Sequence, residues 1–192
     1  MEKDEQFYPD MQRYIAVTTI GPSALRNQGS KDVIKKAQKH LGAIDLNVFR
    51  VSDETSFLRV LNDETENLRC ALPPEAQRWG AARKALNLFL RDICYNRFLC
   101  ERHDLSRTEE WMEIPLDSLI AASLKREAKK EGVQLPRWKG LIGLLRDDSS
   151  KFQAFAKQLA SGQGISRVHL DMRLWTKERE RNGEQAVVPD RQ

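Results

Sequence analysis

Between Ala81 and Ile114 the chain runs without a glycine or a proline, and Ala82, Leu86, Phe89, Leu90 and Ile93 recur there at helical spacing. Apolar residues three and four apart share one side of an α-helix, so the stretch predicts a long helix with a buried face. Shorter runs repeat the pattern. Tyr14 to Ile20 forms a short apolar segment that Gly21-Pro22 breaks. Ser30 stands as an N-cap before Val33, Ile34, Ala37 and Leu41, and Gly42 ends that run. Ser52 or Asp53 caps a short helix carrying Phe57, Leu58 and Leu61, before Pro73-Pro74. Asp117 opens a helix through Leu119, Ile120 and Leu124 into Lys129-Lys130, closed by Gly132. Asp148 or Ser149 starts another with Phe152, Phe155 and Leu159, closed by Gly162.

Only Ile165 to Trp175 competes. Val168, Leu170, Met172 and Leu174 alternate as in a strand, while Ile165, Val168, Met172 and Trp175 share a helical face. A lone strand has nothing to pair with, so the segment reads as helix. The expectation is an all-α chain, with residues 1–175 forming one unit of two helical lobes and residues 176–192 a polar, frayed tail.

Composition narrows the function classes. At 192 residues, 40% hydrophobic and 31% charged, the chain has enough apolar content for a folded core. Its formal charge of +4 permits a polyanionic partner without demanding one. Cys70, Cys94 and Cys100 are odd in number and show no CxxC pair, which excludes a disulfide framework, a zinc site and a local iron–sulfur loop. They read as reduced, buried thiols, with no metal and no cofactor expected. The acidic Met1-Glu-Lys-Asp-Glu-Gln start is followed by no apolar run, and no stretch has the length of a membrane span. A cytoplasmic monomer with no membrane role follows as the expectation.

The residues that carry chemistry cluster from Trp79 to Leu124. Trp79-Gly80-Ala81-Ala82 reads as a tight turn leading into Arg83-Lys84-Ala85-Leu86-Asn87, the first turns of the long helix. Unpaired N–H groups and the positive dipole end there suit a phosphate and disfavour an ammonium, an unusual setting for Lys84. Asn87 and Arg91 continue a polar stripe on its face. Downstream, Glu113-Ile-Pro-Leu-Asp117-Ser puts Asp117 at a helix N-cap after a proline-restricted segment. An N-cap aspartate and a solvated lysine are, one at a time, ordinary structural residues.

Together these segments resemble the helix-hairpin-helix DNA glycosylase superfamily, whose hairpin has the form L-P-G-V-G-R-K-T-A and whose aspartate lies downstream in V-D-T-H. Gly80-Ala-Ala-Arg-Lys84-Ala-Leu-Asn87 follows the hairpin, and Ile114-Pro-Leu-Asp117-Ser follows the Gly/Pro-rich aspartate loop. Ala24-Leu-Arg-Asn27-Gln28-Gly-Ser-Lys-Asp-Val33-Ile34 is similar to an early Q-T…V-I helix start. The likeness extends over most of residues 15–175, with the hairpin and catalytic segment near 68–132. The chain departs from the pattern where Ala82 replaces the second hairpin glycine, Trp79 the proline, and Leu119 the frequent histidine. Its Lys84-to-Asp117 separation is long, as in the archaeal 8-oxoguanine glycosylase group, which also lacks the iron–sulfur cluster.

The resemblance implies a glycosylase with AP-lyase activity. Lys84 would attack C1′ of the damaged nucleotide and hold the sugar as a Schiff base; Asp117 would take its proton and balance the developing charge. Gln28 would reach into the gap left by the flipped base, with Asn27, Gly80, Ala82, Arg83, Lys125 and Arg126 on the DNA backbone. Trp79, Asn87, Arg91, Trp138, His169 and Trp175 are candidates for the base pocket, with Asp171 beside His169. The partner is double-stranded DNA carrying an oxidised or modified base, 8-oxoguanine first, which would make the protein nucleoid-associated. Three alternatives share the residues: a defence glycosylase acting on modified foreign DNA, a catalytically silent hairpin DNA-binding module, and a helical interaction domain with no nucleic-acid role.

Overall fold

Side-chain caps fix several of the helix starts. The structure is a computed structural model that describes residues 5–25, 28 and 32–181. Its α-helices are α1 (Phe7–Thr19), α2 (Val33–Leu41), α3 (Glu54–Ala71), α4 (Trp79–Tyr95), α5 (Arg97–Arg102), α6 (Ser118–Lys130), α7 (Arg146–Ser161) and α8 (Leu170–Arg181). Asp53 opens α3 by accepting from the Ser56 N–H at 2.9 Å. Asn96 opens α5 through the Leu99 N–H at 3.0 Å. Asp117 opens α6 through the N–H groups of Leu119 and Ile120. Each cap satisfies donors that a helix start leaves unpaired. No strand occurs among the described residues, so the chain is all-α.

Several boundaries differ from those the sequence suggests. The first helix begins at Phe7, well before Tyr14, because Pro9 falls in its first turn where a missing N–H costs nothing. The Ser30 cap lies outside the described residues, and Asp32 takes the N-cap position of α2. α3 has 18 residues where a short helix is expected. The glycine-free run is not one helix: α4 stops at Tyr95, α5 follows, and a 3-10 segment Leu105–Trp111 completes it. α7 starts at Arg146, two residues before Asp148, placing Asp147 and Asp148 in its first turn where carboxylates suit the dipole. After a 3-10 turn at Arg167–His169, α8 runs past Trp175 to Arg181, so the expected tail is helical at its start; residues 182–192 lie outside the described residues. Cys70 is exposed and Cys94 and Cys100 are half-buried, so none is a core thiol; burial pushes the Cys94 thiol up to about 12.

The buried side chains form two clusters. The first draws on α1 to α5 and includes Ile20, Leu41, Phe49, Phe57, Phe89 and Met112. The second draws on α6 to α8 and includes Ile114, Leu116, Ile120, Phe152, Phe155 and Leu170. Each fully buried aliphatic or phenyl group contributes about 1.5–3 kcal/mol, so either cluster is held by its own apolar content. Met112 belongs to one and Ile114 to the other. The chain first crosses between them at Glu113, and Val168 in the turn before α8 returns to the first cluster.

That crossing is polar and buried. Arg83 Nε and Nη2 donate to the two Glu113 carboxylate oxygens at 2.9 and 3.1 Å, and Asn87 adds a 3.1 Å bond. Arg83 Nη1 reaches back to α3, to the Leu61 carbonyl and Thr65 Oγ1, each at 2.9 Å. Arg167 donates to the carbonyls of Trp111 and Met112. The Gln153 amide pairs with both the N–H and the carbonyl of Ile114, at 3.1 and 2.8 Å. An extended segment with no strand beside it thus has its buried backbone groups satisfied by side chains. Burial pushes the Glu113 carboxyl up, but the Arg83 guanidinium, with Arg167 and Asn87, outweighs this and holds it below the usual carboxylate range.

Removing one partner of such a pair strands a buried charge. Arg83→Met or Glu113→Gln is therefore expected to cost about 3–5 kcal/mol, and the double variant Arg83→Met/Glu113→Gln less than the sum of the singles. Because Glu113 has a lowered pKa when folded, its contribution is full above the ordinary value of 4.5 and is lost as pH falls through the folded value. Urea unfolding at stepped pH checks both points: the acid limb of Glu113→Gln is shallower than that of the native chain.

Candidate active site

Lys84 and Asp117 meet. Helical geometry turns successive side chains by about 100°, so Arg83 faces the Glu113 crossing while Lys84 faces a cavity beside it. Lys84 Nζ lies 3.4 Å from Asp117 Oδ2 and donates to the Ser23 carbonyl at 3.3 Å. The two carboxylate oxygens of Asp117 have separate partners. Oδ1 accepts from Leu119 and Ile120 at 3.0 and 2.9 Å, which leaves Oδ2 for the amine. The lysine side chain is 8% exposed and the aspartate 36%, so the amine sits at the floor and the carboxylate nearer the mouth.

The cavity measures about 480 Å³. Gln28, Ser23, Ser118 and Leu119 line it with the pair, and the segment Lys139 to Ile142 forms its far rim. Sequence reasoning missed that rim. The signal was present as Gly140-Leu-Ile-Gly143, two glycines bracketing large aliphatic residues, but nothing local ties it to Lys84. Gly140 takes a positive φ of 75°, and Gly80 explains the docking. A β-carbon at Gly80 would overlap the Leu141 carbonyl oxygen and press on the Leu144 side chain.

Some site expectations need correction. Trp79 to Ala82 are the first turn of α4, not a hairpin turn before it, so Lys84 lies in the second turn, past the unpaired N–H groups. Gly80 and Ala82 are buried, and the Ala82 N–H is bonded to the Arg78 carbonyl; neither offers backbone to a phosphate. Arg83 is buried with its donors engaged, so it does not reach DNA. Asn87 is likewise directed at Glu113 and leaves the base pocket. Trp79 is packed against the second cluster with the guanidinium groups of Arg83 and Arg146 over its ring. Trp138 donates to Ser118 Oγ at 3.1 Å and meets Phe152 edge-on, so it buttresses the rim from behind. His169 stacks on Tyr95 and contacts Glu109 at 2.7 Å. Lys125 is exposed, and Arg126 is paired with Glu178; neither lines the cavity. Asn27 lies outside the described residues.

Arg91 and Asp171 stand next to the pair. Arg91 bonds to Asp171 and, at 2.8 Å, to Asp92. Burial raises the Asp171 carboxyl above its usual range; Arg91 opposes the shift, and the charge of Asp117 adds to it. One turn along α8, Trp175 keeps an exposed ring with the Arg179 guanidinium over it at 4.6 Å. Among the described residues no group of His, Cys, Asp and Glu is arranged to hold a metal ion, and no helix is long and apolar enough to cross a membrane. No protein-family model, curated protein or solved structure matches the chain.

The arrangement sets a primary amine against a carboxylate at the floor of an open cavity, the geometry for amine attack with a local proton acceptor. Asp117 has two roles that substitution separates. Asp117→Asn keeps an Oδ1 cap, whereas Asp117→Ala loses it, so the alanine variant is expected to be about 1 kcal/mol less stable than the asparagine one. Equal urea midpoints for the two would remove the cap from the account.

Proposed function

We propose that the chain is a DNA glycosylase with AP-lyase activity, acting on an oxidised or otherwise modified base, 8-oxoguanine foremost. The observation that carries this reading is the approach of Lys84 Nζ to Asp117 Oδ2, 3.4 Å apart in a cavity lined by Gln28. Those three residues come from the three segments that resemble helix-hairpin-helix glycosylases, and they lie far apart in the chain.

The chemistry follows from the pair. Asp117 takes a proton from the Lys84 ammonium, and the freed amine attacks C1′ of the extruded nucleotide. The C1′–N bond breaks and the base departs with its electron pair, taking up a proton. The C1′–O4′ bond then breaks, O4′ takes one of the two protons on the attached nitrogen and becomes a hydroxyl, and the nitrogen lone pair forms the protonated imine. Loss of a C2′ proton then expels the 3′ phosphate, which cuts the strand. An amine is required because a hydroxyl or thiol forms no imine. The cavity volume of about 480 Å³ falls within the ~300–1,000 Å³ range of small-molecule sites. Arg91 and Asp171, bonded to each other, and Trp175, expected in the base pocket, do not line this cavity and are assigned no base contact. The small positive charge of +4 is compatible with a DNA partner; Lys125 on the exposed side of α6 can meet a phosphate, and Lys139 at the rim would exchange Asp148, 3.8 Å away, for one.

Borohydride reduction tests the proposal. Duplexes carrying 8-oxoguanine, uracil, thymine glycol or an abasic site are incubated with the protein and reduced. A covalent protein–DNA adduct is expected on at least one of them. Lys84→Gln abolishes it, and Asp117→Asn slows base release by about 10²–10⁴-fold. Salt-sensitive binding with no adduct on any duplex would instead leave a silent DNA-binding module. Absence of binding would leave an interaction domain.

A further inference from the structure

The rim of the Lys84 cavity holds one of its two large aliphatic side chains out of the protein. Ile142 lines the cavity yet is 56% exposed, and Leu145, three residues on, is 61% exposed. The other large exposed apolar groups, such as Tyr14, Val17 and Met172, line none of this cavity. The segment that carries Ile142 is not slack. Leu144 is buried in the second cluster, the Leu141 carbonyl rests on Gly80, and Trp138 is tied to Ser118 at the start of α6. An anchored loop therefore presents an aliphatic group to water beside a polar, amine-bearing floor, with no partner inside the protein. Exposed cations flank it on both sides: Arg137 and Lys139 before it, the latter 3.8 Å from Asp148, and Arg146 after it, paired with Glu66.

We propose that Ile142, with Leu145 beside it, is a wedge that enters the base stack of duplex DNA next to the nucleotide whose sugar reaches Lys84. This rests on the glycosylase reading. Bringing C1′ to a buried amine requires the nucleotide to leave the duplex, and the vacated stack exposes apolar base faces. A branched aliphatic group is the right filler, because it offsets part of the lost stacking without needing hydrogen-bond partners. The pattern of cation, aliphatic tip and cation matches a strand crossed from phosphate to phosphate, since lysine and arginine position the backbone while the tip enters between bases. Ile142 thus sets which substrates react. Duplex DNA needs the wedge, whereas a single strand, already unstacked, does not.

The test uses the whole chain and a duplex in which 2-aminopurine neighbours an uncleavable abasic analogue. Native protein at saturation raises the 2-aminopurine fluorescence, Ile142→Ala removes at least half of that rise, and Ile142→Leu restores it. Because Ile142 is largely exposed, its truncation leaves the thermal midpoint unchanged, which circular dichroism confirms. In the borohydride reaction at an abasic site, Ile142→Ala lowers duplex adduct formation about tenfold and leaves single-strand adduct unchanged. The wedge is overturned if native protein gives no fluorescence rise, or if Ile142→Ala matches it. The two readings fail separately. A fluorescence rise lost in Ile142→Ala, with no adduct on any DNA, keeps the wedge and removes the lysine chemistry. An adduct formed equally on duplex and single strand by both proteins keeps the lysine chemistry and removes the wedge.

Discussion

The contact between Arg83 and Glu113 decides where everything else in the site can be. Glu113 lies between Met112 of one apolar cluster and Ile114 of the other, so the pair sits where the chain first passes from one to the other. Arg83 is joined on its other side to α3, which means one guanidinium links two helices of the first cluster to the start of the second. Apolar contact at that seam would tolerate sliding. A bidentate carboxylate–guanidinium contact does not, because both bonds are lost together when the segment shifts along its axis.

Register follows from this. Arg83 and Lys84 are neighbours on α4, and their partners Glu113 and Asp117 are both on the short segment clamped by Arg167 and Gln153. Two helix residues facing different directions are matched to two positions of one extended strand of chain. Once the first match is made, the second has little freedom. The 3.4 Å approach of Lys84 to Asp117 is thus set by a buried neighbour rather than by its own attraction, which at the half-exposed Asp117 is a modest force. The buried Arg83–Glu113 contact thus keeps Asp117 beside the Lys84 amine independently of the attraction between those two groups.

What was legible in the sequence shares a physical character with what was not. The Asp53 and Asp117 caps and the Gly162 stop are local, governed by residues within one turn, and they read correctly. The Lys84–Asp117 pairing was legible only through resemblance, since nothing within either segment names the other. Gly80 shows the limit. In sequence it looks like a glycine that admits a phosphate; in the fold it admits the Leu141 carbonyl. Both uses require the absent β-carbon, and only tertiary structure distinguishes them. Arg83 is similar: beside a lysine at a helix start it reads as a DNA contact, but Glu113, far along the chain, claims it. The starts of α4 and α7 were misplaced because packing, not a side-chain cap, fixes them; neither Arg78 nor Leu145 makes a capping bond.

α4 also explains why the seam opens into a cavity rather than closing. Lys84, Arg91 and Tyr95 fall on one face of the helix, and each meets a polar group of the chain beyond Glu113: Asp117, Asp171 and His169. Three polar pairs in a row join this face of α4 to the chain beyond Glu113. Charged and hydrogen-bonded groups keep water nearby to complete their shells, so such a seam stays accessible at its ends. At the Lys84 end the first turn of α4 is packed under the Leu141–Leu144 rim through Gly80, which leaves the mouth between Asp117 and Ile142 as the opening. The same helix therefore provides the rigid floor and, by the polarity of its outer face, the entrance.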